Sequence, residues 1–534
     1  MKIKYFALSL LACVGMMSCS NNDDLAGDDG QKGDGDVARS YVAVNILNTN
    51  SDGTRVAGAE YEDGKGNENK ITSARFYFFK SDGSAYPLST ASSVSGTTDN
   101  YIDVTPANST DGADENIDKV FDAVLVFNGK TNELPASIVA VINSSLGTGS
   151  KPLSDLKIIT GNYGVNAAAE ANEGNFVMSN SVYASEGTSS AEVIAVNIDG
   201  KIATSEADAK ANPVDIYVER AVAKVKLTLD GTEASTTDKY KVTEDGSVFA
   251  KVLGWAVTSD TRTSNLLKSI NTTWTNDGLG FTWNDAPYHR SYWAATTAKA
   301  TNDKSFNEIV EELKGEGTDN IAVGRYCQEN TSTDKTNLIV VAQLQNSDGT
   351  AHPIYKYFGV DYTSENDIKT LIANKYRDTY FTKEGETYNS IAPSALQFTA
   401  TAPSGSTIKD YEVVAQVATG TYYKKSASGY EEATLEEINA ELAKNPAQVS
   451  TDGYVYYFTP IKHLGTSGKT GEYGIVRNHI YSVTVNGIKG YGTPVFDPNK
   501  DIVPTVPVDE NTYIAARINV LSWRVVSNSV TLGQ

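Results

Sequence analysis

Short segments of alternating apolar and polar residues, set apart by Asp-Gly pairs, constrain this chain more than any other feature. Asp82-Gly83, Asp230-Gly231, Asp245-Gly246, Asp277-Gly278, Asp348-Gly349 and Asp452-Gly453 lie among strand-like runs. Glycine supplies the positive φ of a tight hairpin, so these pairs punctuate strands rather than helices. The period-2 or β-rich runs are 40–47, 74–79, 123–127, 138–142, 176–178, 191–198, 214–229, 248–257, 338–344, 354–360, 411–417, 454–458 and 479–485. The 30 Tyr residues favour the same state. Many short strands with few helices predict an all-β chain of β-sandwiches.

Two helices interrupt that pattern. Ser305 with Glu308 forms a capping box ahead of 306–314, stopped by Gly315. Thr434 with Glu437 does the same for 435–444, ended by Pro446. Both read as decorations on loops. Residues 199–213 carry the weakest pattern of the interior, which sets an expected boundary near Asn212.

The last residues are unusual for a chain end, because they are apolar and β-branched. Ile514, Ala516, Ile518 and Val520 share one parity; Leu521, Trp523 and Val525 follow on the other; Val526, Val530 and Leu532 shift again. A one-residue slip turns every side chain to the opposite face, so two short strands joined at a bulge or bend are expected. They are either the last strand of their own domain or a strand lent to a neighbour. Pro494, Pro498, Pro504 and Pro507 ahead of them predict a semi-rigid, extended spacer.

At the other end, Lys2 and Lys4 precede an apolar run, 5–17, too short to span a bilayer and suited to a secretory signal. It closes at Met16-Met17-Ser18-Cys19, which resembles a bacterial lipobox with Cys19 as the lipidated first residue. The competing reading is an ordinary signal peptide with an incidental Cys. Residues 23–36 are rich in Asp and Gly and read as a disordered spacer; they lack the ligand order of an EF-hand. Of three Cys only Cys327 remains in the folded part, so no internal disulfide is expected. A net charge of −21, from 66 acidic against 45 basic residues, argues against nucleic acid as partner. The first strand carries Val42, Val44 and Ile46 on one parity and ends in a polar loop closing at Arg55. Such a loop is an easy site for proteolysis.

No catalytic constellation emerges. His289, His352, His463 and His479 have no metal-ligand spacing, and no metal or cofactor is expected. The 465–470 run ends like a P-loop but has His463 where the first Gly belongs. Cys327 beside Tyr326 reads as a small buried residue. Trp255, Trp274, Trp283 and Trp293 are core residues or, less simply, a glycan platform.

Several stretches, taken in order, carry a resemblance. They are the lipobox, the first strand followed by Arg, Val218-Glu219-Arg220-Ala221-Val222-Ala223-Lys224-Val225 and Arg290-Ser291-Tyr292-Trp293-Ala294. Tyr326-Cys327-Gln328-Glu329-Asn330, Val476-Arg477-Asn478-His479-Ile480-Tyr481 and Ile518-Asn519-Val520-Leu521-Ser522-Trp523 complete the set. Together they resemble the fimbrillins of Bacteroidales bacteria, above all the major subunit of the minor-fimbrium type.

The resemblance implies two transthyretin-like β-sandwich domains in an exported lipoprotein pilin of the outer membrane and surface fimbrium. Its expected parts are a signal peptide, 1–18; a lipidated spacer with a removable first strand, 19–55; sandwiches at 56–212 and 213–490; and a spacer with donor strand, 491–534. It implies an arginine-specific protease cutting Arg55-Val56, with Arg39-Ser40 as the rival bond. The displaced strand would carry Val42, Val44 and Ile46. The donor strand of another copy would insert Ile514, Ile518, Val520, Leu521, Trp523, Val525, Val526, Val530 and Leu532. Implied partners are further copies in a head-to-tail filament, tip and anchor subunits, and host or bacterial surface ligands for adhesion. The alternatives are a glycan-binding outer-membrane lipoprotein, which predicts a permanent first strand and a tucked C-terminus, or a tip or accessory subunit.

Overall fold

The computed structural model describes residues 39–49, 64, 66–88, 99–105, 110–111, 117–128, 134–144, 146–163, 176–181, 194–230, 238–258, 263–268, 303–315, 324–330, 335–358, 360–401, 410–464, 468, 470–502, 513–521 and 526–529. The protein is all-β, with a few short helices. The Asp-Gly turns behave as their chemistry requires: Gly83, Gly246, Gly349 and Gly453 have φ of 79°, 69°, 85° and 65°.

The first sheet runs Tyr101–Val104, Ala74–Phe79, Ser137–Ile142, Met178–Asn180, Val214–Arg220, Arg39–Thr49, Ile117–Asn128, Thr110–Asp111. Phe76, Phe78, Ile138 and Ala140 fill its core together with Val42, Val44, Ile216 and Val218. The opposite parity is buried too, with Tyr77, Phe79, Val139 and Val141 packed on Leu156, Leu266 and Val476. Burial of both faces explains why 74–79 and 137–142 read as nearly continuous apolar runs.

A true sandwich follows. One sheet holds Arg325–Cys327, Ala223–Leu229, Ile480–Lys489, Tyr513–Leu521 and Val526–Ser529; the other holds Lys239–Lys241, Val248–Thr258, Asn337–Asn346, Tyr454–Pro460 and Thr493–Pro494. Val225, Leu227, Tyr481 and Val483 from the first meet Trp255, Val340 and Tyr457 from the second. Trp255 is completely buried, which removes it from any glycan platform; Trp274, Trp283 and Trp293 lie outside the described residues. Cys327 is buried as expected, opposite Ala223.

The run expected as one strand, 214–229, is two strands in two sheets. Val214–Arg220 belongs to the first sheet and Ala223–Leu229 to the second. The chain therefore changes sheets at Ala221-Val222, beyond the expected boundary after Asn212. Uniform apolar patterning hides this step, because both halves are buried and periodicity carries no sheet identity. The stretch before it is not featureless either. Ser205 caps a helix, Glu206–Ala211, which lies against the first strand.

Both expected helices form. In Phe306–Gly315, Ser305 N donates to Glu308 Oε2 at 2.8 Å while Glu308 N returns to Ser305 Oγ at 3.3 Å. In Leu435–Leu442, Glu437 N donates to Thr434 Oγ1 at 3.1 Å. Neither is a mere decoration. Phe306 and Ile309 enter one core, and Ile438 and Leu442 enter another. That second core belongs to an insertion between Asn337–Asn346 and Tyr454–Pro460, with its own two sheets and a further helix, Glu365–Tyr376. Its strands carry the same period as the sandwich strands, so periodicity alone does not separate the unit from the second sandwich.

Candidate functional site

The first strand, Arg39–Thr49, is an interior strand. It pairs in parallel with Val214–Arg220, setting Val44 against Val214, Ile46 against Ile216 and Asn48 against Val218. On its other side it pairs antiparallel with Ile117–Asn128, from Arg39 opposite Asn128 to Leu47 opposite Val120. Val42 and Val44 are completely buried among Phe121, Leu125, Ile216 and Val218. Withdrawing this strand would leave a slot with two unpaired edges and an apolar floor. Sequence alone identified the strand but not the residues lining its slot, since neither neighbour is adjacent to it in sequence. Val44→Ala deletes two buried methyl-equivalents and should destabilise the first sheet by about 2 kcal/mol in a denaturant titration. A change within a few tenths would mean that Val44 is not load-sharing in this core.

Cys19, Arg55 and Val56 lie outside the described residues, as does the side chain of Ile46. The chain is described again from Gly64, and that downstream segment is pinned. Glu68 and Asn69, in the short turn Gly66–Asn69, are buried.

The C-terminal strand, Tyr513–Leu521, pairs antiparallel with Ile480–Lys489, with Ile514 opposite Ile488, Ile518 opposite Val483, Val520 opposite Tyr481 and Leu521 opposite Ile480. Val526–Ser529 then turns back on it, so that Val526 faces Val520. The two short strands expected here are thus present and pair antiparallel with each other as a hairpin. Trp523, Val525, Val530 and Leu532 are outside the described residues. The start of the expected Pro-rich spacer is docked. Thr493–Pro494 pairs with Tyr454–Pro460, Asp501–Ile502 pairs with Lys304–Ser305, and Val495 and Ile502 are buried.

Between the first sheet and the sandwich lies a buried polar cluster that sequence reasoning missed. Three of the stretches quoted above meet in it, from residues more than 250 positions apart. Arg477 reaches Glu329 at 2.6 Å and, through Nη1, donates to Leu266 O at 2.9 Å; Glu219 stands 4.0 Å from both Arg477 and Lys268. Lys224 Nζ pairs with Glu68 Oε1 at 2.8 Å, and Tyr326 hydroxyl also donates to Glu68. Arg220 donates to Glu68 O at 2.9 Å, to Asn478 Oδ1 at 2.9 Å and to Asn69. Asn478 holds φ of 58°, a left-handed conformation that Asn tolerates. The one visible hint was an ionised pair, Glu219-Arg220, inside an apolar strand.

Burial pushes the Glu68 carboxyl up, but the charges of Lys224 and Arg220, with hydrogen bonds from Lys224 and Tyr326, outweigh it and hold the group below its ordinary 4.5. A depressed carboxyl stabilises the fold above its unfolded value and loses that contribution as pH falls through the folded one. Thermal melts should therefore weaken below pH 4.5, and Glu68→Gln should flatten that acid limb. An unchanged limb would assign the acid loss to other carboxylates.

Residues 449–529 match the family described as major fimbrial subunit protein type IV, fimbrillin, C-terminal. No curated relative matches the sequence. Among solved structures, a fimbrillin from Porphyromonas gingivalis is 12% identical, covering 92% of this chain and 98% of its own, with a TM-score of 0.36. A fimbrial assembly protein from Parabacteroides distasonis is 9% identical over 91% of this chain and 98% of its own, with a TM-score of 0.33. A candidate cell adhesion protein from Bacteroides eggerthii is 11% identical over 91% and 96%, with a TM-score of 0.38.

Proposed function

We propose that this chain is a fimbrillin, a reading supported by the match of residues 449–529 to the fimbrillin C-terminal family, and that it polymerises by strand exchange. Its role is structural and adhesive rather than enzymatic, and its place is a surface fimbrium. In this reading Cys19 carries lipid and tethers the precursor to the outer membrane. An arginine-specific protease cuts Arg55-Val56, the segment 19–55 leaves with the first strand, and the terminal segment of another copy takes its place. The observation that carries the reading is the placement of Arg39–Thr49 as an interior strand between two edges, its Val42 and Val44 in the core.

The sheets support a domain plan. The first unit would run from 56 to about Arg220, and the second from Ala223 through the sandwich, with 354–450 as its insertion. The terminal hairpin would be parked on Ile480–Lys489 before assembly and released on exchange. Burying four to six aliphatic or aromatic side chains would supply on the order of 1.5–3 kcal/mol each before ordering costs. Donation to the next copy is a heterologous contact that does not close, so it builds a filament. Tip and anchor subunits would occupy the two ends of that filament.

A second reading, a surface lipoprotein with a permanent first strand and a tucked end, draws on the terminal hairpin's pairing within its own sandwich. The two separate on digestion of residues 20–534 with an arginine-specific protease. A new N-terminus at Val56 with an SDS-resistant ladder on unheated gels supports exchange. Retention of the first strand with only monomer present supports the second reading.

A further inference from the structure

We propose that the buried ionic cluster is a positioning device for the slot, holding the 214–220 strand in place as an open edge once the first strand has left. This rests on the strand-exchange reading above.

Val214, Asp215, Ile216, Tyr217 and Val218 all face the first strand, whereas Val218, Glu219 and Arg220 face Met178–Asn180 on the other side. Beyond the ladder, Ser181 N donates to Tyr217 O at 2.8 Å. The first half of this strand therefore loses its ladder partner on processing and hangs from its second half. That half is where the cluster takes hold. Glu219, Arg220 and Lys224 are fully buried, and their partners Arg477, Glu329 and Lys268 are as well.

Three features suit the cluster to a role that begins after cleavage. Its members come from 68–69, 219–224, 268, 326–329 and 477–478, all downstream of Arg55-Val56, so processing leaves it whole. It joins the slot edge to the strand bearing Lys224, whose neighbour Ile480–Lys489 also pairs with the terminal hairpin. Its contacts are directional and close: a Cβ on Gly64 would come within 2.5 Å of an Arg220 guanidinium nitrogen, and one on Gly324 within 2.5 Å of Lys224 Cε. A buried ionic cluster contributes little net stability, and in this proposal its role is to fix geometry. An edge held this way stays ready for an incoming strand, instead of collapsing over the apolar floor.

The test compares two states of the same chain. Residues 20–534 carrying Asn69→Ala, which removes an Arg220 contact and leaves the Lys224–Glu68 ion pair in place, are examined uncleaved by thermal melt. They are then cleaved after Arg55, freed of the released segment by dialysis, and given a labelled peptide of residues 39–49 at dilute protein concentration. Hydrogen exchange follows amides 214–218. The expected result is a near-normal melt for the uncleaved variant, because the first strand braces the edge. After cleavage, exchange should accelerate at 214–218 and peptide uptake should slow about tenfold or more as the accepting fraction falls. Uptake equal to the unsubstituted protein overturns the proposal. Equal weakening of both states also overturns it, because that is what a purely structural role produces. If the unsubstituted cleaved protein itself keeps its first strand or takes up no peptide, the strand-exchange reading fails and this inference with it.

Discussion

With Asn45→Cys and Asp122→Cys oxidised to a disulfide, cleavage after Arg55 should yield a nicked monomer and no SDS-resistant ladder. Adding reductant should restore the ladder. The two positions are directly opposed in the antiparallel pairing of the first strand with Ile117–Asn128. Opposed residues of such a pair have Cα atoms about 4.5–5.5 Å apart, within disulfide reach. The bridge staples the leaving strand to one wall of its slot without touching the peptide bond that the protease cuts. Cys327 is buried inside the sandwich and does not compete. The effect is all or none because a covalently retained strand blocks the slot however favourable the exchange. A full ladder under oxidising conditions would show that assembly does not require the first strand to leave, and the mechanism proposed above would be abandoned.

Arg477→Met should be the most damaging single change at the junction, costing about 3–5 kcal/mol. Arg477 is fully buried and donates to Glu329, Leu266 O and Asn265 O at once. Removing it takes the guanidinium at 2.6 Å from buried Glu329 and leaves buried Glu219 with Lys268 as its remaining cation at 4.0 Å. Adding Glu329→Leu should recover part of the loss, since an apolar pair of similar volume removes the uncompensated charge. Chemical denaturation followed by tryptophan fluorescence, to which buried Trp255 contributes, checks both variants. A loss under about 1 kcal/mol for Arg477→Met would mean that water enters the junction and screens it.

The sequence announced the fold class well, because turn chemistry and period-2 burial are local. Ala74–Phe79 matches its expected limits, and Ser137–Ile142 and both capped helices lie within a few residues of theirs. It could not assign strands to sheets. Val214–Arg220 and Ala223–Leu229 look like one strand, and only the three-dimensional partners of Val218 and Lys224 separate them. The inserted unit was hidden for the same reason. Its Tyr380 and Tyr422 alternate like any sandwich strand, but they pack on Ile368, Ile372 and Ile438 rather than on Trp255. The first strand was legible as a strand and its slot was not, because Phe121 and Ile216 meet it from distant parts of the chain. The junction was least legible. Glu68, Glu219, Glu329 and Arg477 are each ordinary as letters, and only burial makes them informative.

The central place of the first strand also sets an order of events during biogenesis. Val44 must wait for Val214, 170 positions later (214 − 44), before its parallel ladder can form. Pairings of such long range are slow, since chain-closure entropy is spent before any contact repays it. Until then the strands 117–128 and 214–220 have no common neighbour, and the sheet exists as two unjoined parts. On the strand-exchange reading, the segment to be discarded is thus the template on which the first sheet closes. A chain that lost it too early would be a failed fold, not an early pilin. On that same reading the cut would have to follow closure, so its timing would matter as much as its position.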